Sequence, residues 1–328
     1  MIYISSDDKK IKTALSNHKS GLFSILKRRV NKCPNQHIRT FLSDAILITF
    51  LEGKPKEIQD LNHEFYSRIP NYTLKGYNDF KLNIDKEPKS KAEKSNVTKY
   101  KTLHTVVEAI FNYETSFSKK TTKYSTYNLA DSLDINTCVY CNRMYTKTVR
   151  NPEKLTRPEF DHWFPKSKYP LLSLSFYNLI PSCHICNSSL KGATNLSLND
   201  YFHPYVDDEK IINKEIKFSY YNKALDTYGF EMKTTSFKAM NTIDAFKIKE
   251  IYETHEEEIA DLRKIRDTYS ESYLQKLTTL YKGIISTEEV YRLAFGVYIE
   301  DAQFAKRPLS KMKKDILIEL GIITKDGK

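Results

Sequence analysis

The chain has 328 residues and a mass of 38.4 kDa, with 40% hydrophobic and 28% charged residues, values that are ordinary for a soluble protein. It is long enough for two or three hydrophobic cores and is expected to fold without disulfides. Its longest apolar run, Ala45 to Leu51, is too short to span a bilayer, and its 9 glycines form no phosphate-binding loop. The net charge of +11 favours a polyanionic partner.

The N-terminal region, residues 1–125, has helical periodicity over most of its length. Its first ten residues lack the apolar stretch of a signal peptide, so a reducing cytoplasmic location is expected. Residues 81–101 carry Pro88 and 7 lysines among polar neighbours, which predicts a mobile basic loop or linker. Helical periodicity returns at Leu103 to Phe117.

Two cysteine pairs mark the centre of the chain: Cys138 with Cys141, and Cys183 with Cys186. Two residues separate the sulfurs of each pair, which lets both thiolates turn onto one tetrahedral ion. Because four protein ligands leave no open position on Zn²⁺, the expected site is structural. A redox or disulfide pairing is the alternative.

The segment between the pairs carries residues suited to hydrolysis of a phosphodiester. Asp161 precedes His162, which places a hard carboxylate ligand for Mg²⁺ or Mn²⁺ next to a potential general base. In a strand these neighbours point to opposite faces and serve different roles. Asn187 follows the last cysteine and Lys191 lies four residues later, so an amide oxygen and an ammonium are available for a metal and a phosphate.

This ordered combination resembles the HNH endonucleases, whose active site is a ββα-metal fold, in the version held by a four-cysteine zinc. The resemblance covers Cys138 to Gly192 and implies a nuclease core at 126–205. It implies His162 as general base, Asp161 and Asn187 as ligands of a catalytic Mg²⁺ or Mn²⁺, and Asn178 as the residue that braces the loop. The motif position of Asn187 is often His, and Glu159 and His203 are alternative second ligands.

Basic residues around this core favour DNA as the partner, with RNA as an alternative. Lys166, Lys191 and Arg143 are the expected nucleic-acid contacts. The large helical flanks resemble those of bacterial HNH proteins of phage defence, some of which act with an ATPase partner. Two rival functions are a non-catalytic, zinc-containing nucleic-acid-binding module and a scaffold that docks a protein partner.

The C-terminal region, residues 206–328, is expected to start with at least two strands between Ile211 and Thr234. Long helices are expected at Ala245 to Lys282 and as a pair over Ser286 to Leu320. The predicted fold class is therefore α+β and mostly helical, with a small ββα-metal core and its zinc knuckles between two helical regions.

Overall fold

A computed structural model describes residues 1–119, 122–151, 153–225, 227–268 and 284–324, together with positions 276, 279 and 280. The prediction of a mostly helical α+β fold is confirmed, since the described strands form only two small sheets. None of the described helices combines the length and apolar character that crossing a membrane requires.

Seven α-helices precede the cysteine-rich segment. They are α1 (Lys9–Asn31), α2 (Gln36–Phe41), α3 (Asp44–Glu52), α4 (Pro55–Arg68), α5 (Leu74–Asn83), α6 (Lys91–Ile110) and α7 (Thr126–Leu133), with a π-helical turn at Glu114–Ser118. Local sequence explains several boundaries, because Asp8, Ser43 and Thr73 each accept a hydrogen bond from a first-turn backbone N–H.

Helix α1 is the longest of these and packs with α3 and α7. Its buried face contains Ile11, Ala14, Leu22 and Leu26, a spacing that places the side chains on one side of a 3.6-residue helix. His18 lies on the same face, and its Nε2 is 2.8 Å from the carbonyl oxygen of Leu174. This contact ties the helix to the loop that supports the candidate site.

The expectation of a loop over 81–101 is wrong for most of that segment. Helix α5 extends to Asn83 and α6 begins at Lys91, so only residues 84–90 connect them. The start of α6 is fixed by a capping box, in which Ser90 and Glu93 bind each other's backbone N–H groups. The lysines misled the prediction because they lie on the solvent side of a helix whose buried face includes Val97 and Tyr100.

The central core contains an antiparallel pair, β1 (Glu159–His162) and β2 (Leu179–Ser182). In this pair Asp161 is opposite Ile180 and His162 is opposite Leu179. A π-helical segment, Ile185–Lys191, follows β2 directly and contacts β1. Two strands followed by a helix are the order expected for a ββα unit.

The C-terminal region alternates helices with the second sheet. Its elements are α8 (Glu209–Glu215), β3 (Lys217–Ala224), β4 (Thr227–Lys233), α9 (Phe237–Ala245), α10 (Ile248–Tyr252), α11 (Glu256–Thr268), α12 (Thr287–Phe295) and α13 (Ser310–Glu319). The strands match the prediction, whereas the expected helix at 245–282 is interrupted at residues 253–255. Most of its portion beyond residue 268 lies outside the described residues.

Buried apolar side chains from all three sequence regions pack into one core. Leu22 represents the N-terminal helices, Leu179 the central strands and Phe246 the C-terminal region, and each is less than 1% exposed. The ββα unit is therefore held between the helical regions and has a fixed environment on both sides.

Candidate functional site

The four paired cysteines converge at one point. Their sulfur atoms all lie within 4.8 Å of one another, and all four side chains are buried and free of disulfides. One tetrahedral ion bound at Zn–S distances of about 2.3 Å fits such a group better than two separate redox pairs do. The cluster therefore fits a metal such as zinc, with no position left open for a substrate.

Contacts from distant parts of the chain support the knuckles around this cluster. Tyr252 donates its buried hydroxyl to the carbonyl oxygen of Cys141 at 2.5 Å, and the backbone N–H of Ile2 donates to the carbonyl of Val139 at 2.8 Å. Asn142 adopts a left-handed conformation, and its amide reaches the carbonyl oxygen of Phe304 at 2.9 Å. The N-terminal segment and the C-terminal region thus both fix the position of the cysteine cluster.

His162 ends β1 and lies against Tyr113, with 4.7 Å between the ring centroids in an edge-to-face arrangement. Its Nε2 is 2.9 Å from the carbonyl oxygen of Ser173. Because a carbonyl oxygen only accepts, Nε2 carries the hydrogen and Nδ1 is the nitrogen that accepts a proton. Burial lowers the pKa of His162 to about 3, so the ring is neutral near pH 7.

Asp161 points to the opposite face of β1, as the alternation of a strand requires. Tyr140 donates its hydroxyl to Asp161 Oδ2 at 2.5 Å, and Lys191 Nζ lies 3.0 Å from Oδ1. Burial raises the pKa of this carboxyl group, and the charge of Lys191 opposes the increase. Lys191 is itself fully buried and also donates to the carbonyl oxygen of His162 at 2.7 Å.

Glu159 lies two residues before Asp161, on the same face of β1. Its carboxylate accepts hydrogen bonds from Asn187 Nδ2 at 2.7 Å and from Ser188 Oγ at 3.4 Å, and it lies 2.9 Å from His184 Nδ1. Although partial burial raises the pKa of Glu159, these hydrogen bonds lower it below its usual value. Because the amide amino group of Asn187 donates to Glu159, the amide oxygen of Asn187 is the atom available to a cation.

Asn178 is fully buried and makes three hydrogen bonds across the loop that separates β1 from β2. Its Oδ1 accepts from the backbone N–H of Phe164 at 2.7 Å, and its Nδ2 donates to the carbonyls of Phe164 and Leu172 at 3.1 and 2.9 Å. The loop that these hydrogen bonds close includes Ser173, whose carbonyl orients His162. Asn178 therefore helps to position His162 indirectly, by holding the backbone of this loop.

A cavity of about 480 Å³ opens beside these groups. Its lining includes three carboxyl residues and two cations, and the imidazole and amide described above also reach it. These residues are Glu114, Glu159, Asp161, Arg157, Lys166, His162 and Asn187. The Nε of Arg157 is buried and has no hydrogen-bond partner among the described residues. The cavity therefore presents a neutral imidazole, hard oxygen ligands and a guanidinium to one volume.

Some residues expected at this site lie elsewhere. Lys191 is buried against Asp161, so it does not reach a phosphate at the surface and instead compensates the carboxylate. Arg143 does not line the cavity. It lies beside Cys141 of the first cysteine pair, whose sulfur accepts a hydrogen bond from the backbone N–H of Arg143 at 3.4 Å. His203 is buried against Trp163, with ring centroids 4.7 Å apart, and is not a second ligand. Glu159 does line the cavity.

Sequence reasoning missed two contributors. Tyr140, between the first two cysteines, binds Asp161 through its hydroxyl, and a lone tyrosine inside a cysteine knuckle gives no sequence signal for that role. The Ser173 carbonyl is a backbone group and is invisible in a residue pattern. Arg157, in contrast, is one of the basic residues that the sequence places around the core, and it lines the cavity.

Comparison with known proteins gives one partial similarity. The chain is 35% identical over 100 residues to the Septu protein PtuB of Bacillus thuringiensis, and the match covers 30% of this chain and 34% of that protein. The chain thus matches about a third of the length of that relative. No protein-family model matches the chain, and no solved structure matches it significantly.

Proposed function

We propose that this chain is a metal-dependent endonuclease of the HNH type, which hydrolyses phosphodiester bonds of DNA. The observation that carries the proposal is the environment of His162. It is a buried, neutral imidazole oriented by the Ser173 carbonyl, and it reaches a cavity shared with Asp161 and Asn187. The arrangement supplies a free nitrogen, a fixed orientation and contact with the cavity, while the low pKa that burial gives the ring makes it a weak base.

In the proposed reaction His162 Nδ1 removes a proton from a water molecule, and that water attacks the phosphorus atom opposite the leaving 3′ oxygen. The Ser173 carbonyl accepts from Nε2–H throughout and stabilises the imidazolium that forms. Arg157 and Lys166 contact the non-bridging phosphate oxygens, since both line the same cavity. The resemblance to HNH nucleases implies 5′-phosphate and 3′-hydroxyl products.

The resemblance to HNH nucleases implies a divalent cation in this cavity, which Glu159, Asp161 and Asn187 line. Asp161 and Asn187 would hold Mg²⁺ or Mn²⁺ through oxygen atoms, with Glu159 beside them, and water would complete the shell. When bound, such an ion supplies Lewis acidity at the phosphate.

Among the described residues the four cysteines are the only group of three or more His, Cys, Asp or Glu side chains close enough to hold a metal. At the cavity, Tyr140 and Lys191 occupy both carboxylate oxygens of Asp161, so an ion bound there would displace one of these donors. Two carboxylates and one amide would suit Mg²⁺, because that ion keeps several waters. Zinc on the cysteines would have a different role and hold the strands and the π-helix in place.

A role in defence against phage is part of the proposal. It is supported by the partial similarity to the Septu protein PtuB and by the resemblance of the helical flanks to those of HNH proteins of phage defence. An ATPase partner, as the resemblance implies, would restrain a nuclease that otherwise damages its own cell. The free cysteines suit the reducing cytoplasm in which these partners would meet.

The test is cleavage of supercoiled plasmid by the purified chain with Mg²⁺ or Mn²⁺, next to the His162→Ala variant. His37→Ala is the matched control, because His37 is exposed on a distant helix. We expect metal-dependent cutting by the wild type and the control and at least a 100-fold loss, on the order of a general base contribution, in His162→Ala. Zinc content is measured in all three preparations.

Equal cutting by the wild type and His162→Ala would refute the proposed base. Zinc-loaded protein that binds DNA without cutting it, both alone and with a partner ATPase, would support the non-catalytic module. No binding of DNA at low salt would leave the scaffold function, since a basic nuclease binds its polyanionic substrate most strongly there.

A further inference from the structure

A second cavity, of about 260 Å³, adjoins the first. The two share Tyr113, Glu114, Lys166 and Ser167 as lining residues, so they form neighbouring compartments of one cleft. The boundary is the ion pair between Lys166 Nζ and Glu114 Oε1, 2.8 Å apart. Both side chains are at least half exposed, and such a pair is worth only about 0–1 kcal/mol, so a substrate group can replace either partner.

The lining groups separate the roles of the two cavities. The charged residues that line the second one are Glu108, Glu114 and Lys166, and Lys166 pairs with Glu114. In contrast to the first cavity, it contains neither the paired oxygen ligands for a divalent ion nor an arginine. A phosphate is therefore not its occupant. Whatever binds there is a neutral part of the same substrate, because the cleft is shared with the phosphate site.

The walls favour a flat ring with hydrogen-bonding edges. Tyr113 and Pro170 supply the apolar ring surface, because Phe111 is only 1% exposed, while Glu108 and Asn112 supply polar groups. The Asn112 Oδ1 accepts from the backbone N–H of Thr115 at 2.8 Å, which directs the amide amino group away from that backbone. A carboxylate acceptor and an amide donor match the amino and carbonyl groups of a base edge. The volume is below the roughly 300–1,000 Å³ of pockets for larger ligands, which suits a single ring system.

We propose that the second cavity binds one nucleobase of the substrate strand, unstacked from its neighbours and adjacent to the phosphate that is cut. This inference rests on the proposed nuclease function and names its substrate class. A base inside a duplex is paired and stacked, and it enters a side cavity only after extrusion. The preferred substrate is therefore single-stranded DNA or DNA with unpaired bases. Glu108 favours bases with an exocyclic amino group, such as cytosine, over thymine.

The first experiment measures binding rather than cutting, with the full-length His162→Ala chain. Fluorescence anisotropy gives the dissociation constants of short single strands of deoxycytidylate and thymidylate and of an abasic strand of equal length and charge. We expect the abasic strand to bind roughly 10-fold or more weakly than deoxycytidylate, because base stacking is lost. A duplex of equal length is expected to bind less tightly than either single strand with bases.

The second experiment tests Glu108, which is exposed at the rim, so its replacement leaves the core intact. Glu108→Leu is expected to abolish the preference for deoxycytidylate over thymidylate, and Glu108→Gln to weaken it. The ratio of the two dissociation constants is the readout, because the lost negative charge increases the affinity for every strand by the same factor. Zinc content and thermal unfolding confirm that each variant is folded.

Equal affinity for the abasic and deoxycytidylate strands, or an unchanged ratio in Glu108→Leu, would overturn the nucleobase site. Plasmid cleavage by the wild type is scored separately and tests the nuclease function itself. Base-dependent binding without cleavage of plasmid or single-stranded DNA, both alone and with a partner ATPase, retains the nucleobase site and refutes the nuclease. Cleavage by the wild type, together with binding that does not depend on the bases, would retain the nuclease function and refute the nucleobase site.

Discussion

Lys191 Nζ lies 3.0 Å from Asp161 Oδ1, and neither side chain is more than 3% exposed. Four residues earlier on the same π-helix, Asn187 binds Glu159, which is two residues earlier on β1. Asn187 and Lys191 are four residues apart and lie on one face of the helix, whereas Glu159 and Asp161 are two residues apart and lie on one face of the strand. The two contacts therefore join one face of the helix to one face of the strand. This pairing fixes the predicted metal ligands relative to each other.

Replacement of Lys191 by Met is expected to destabilise the protein. The substitution leaves Asp161 as an uncompensated buried carboxylate, which costs about 3–5 kcal/mol of unfolding free energy. Urea denaturation gives this value. Lys168→Met is the matched control, since Lys168 is also buried but its partner, Asp85, is 60% exposed. A loss at Lys191 no larger than that at Lys168 would contradict the role assigned to the Asp161–Lys191 pair.

Tyr140→Phe tests the other hydrogen bond to Asp161. Removal of a buried hydroxyl that donates to a carboxylate is expected to cost about 1.5–3 kcal/mol of unfolding free energy. Tyr252→Phe serves for comparison, because it removes an equally buried hydroxyl whose acceptor is the uncharged Cys141 carbonyl. We expect the smaller loss there, about 0.5–1.5 kcal/mol. The reverse order would mean that Asp161 is protonated in the folded protein.

Serine in place of Cys183 is expected to abolish stoichiometric zinc binding. Three thiolates remain, the tetrahedral site is incomplete, and the stability that the ion contributes, on the order of several kcal/mol, is lost. Zinc per chain, measured by elemental analysis, and the unfolding midpoint are the readouts. Cys33→Ser is the control, since this buried cysteine lies outside the metal cluster. Full zinc occupancy in Cys183→Ser would rule out the four-thiolate site.

The sequence predicted the parts of this centre that depend on spacing. The cysteine pairs converge because each spacing fits one ion, and Asp161 and His162 face opposite sides because strands alternate. The burial of Lys191 was not predictable, since a lysine near a helix end is usually solvated. The Ser173 carbonyl that orients His162 depends on the closed loop, and a backbone group has no sequence signature.

The helical regions were predictable only in outline. Apolar spacing predicts α1 and α4, whereas the lysine-rich start of α6 predicts a loop, because its lysines lie on the solvent side of the helix. The break after α10 was missed because Tyr252 and Ile259 continue an apolar pattern across residues 253–255. The start of α6 is set by the capping box of Ser90 and Glu93, a local signal that the lysines outweigh in the prediction.

The protein is expected to become less stable in mild acid, because buried histidines stay neutral in the folded state and bind a proton once the chain is unfolded. Burial lowers the pKa of His18 to about 4, from 6.5. The unfolded chain therefore binds a proton that the folded chain refuses as the pH falls from about 6.5 to about 4, and the folded state loses up to about 3 kcal/mol over that window. The contribution is absent above pH 6.5. His104, whose pKa burial also lowers to about 4, adds to the same slope.

Urea midpoints between pH 7.5 and pH 5 measure this effect in the wild type and in His18→Gln. The glutamine keeps a donor for the Leu174 carbonyl, which His18 contacts through Nε2, but does not titrate. We expect a shallower decline of stability with acid in His18→Gln, while His37→Gln, on an exposed residue, follows the wild type. Zinc release in acid destabilises all three proteins alike, so it cancels in the difference. Parallel pH profiles for the wild type and His18→Gln would show that His18 is protonated in the folded protein, and its buried ring would then require a partner other than the Leu174 carbonyl.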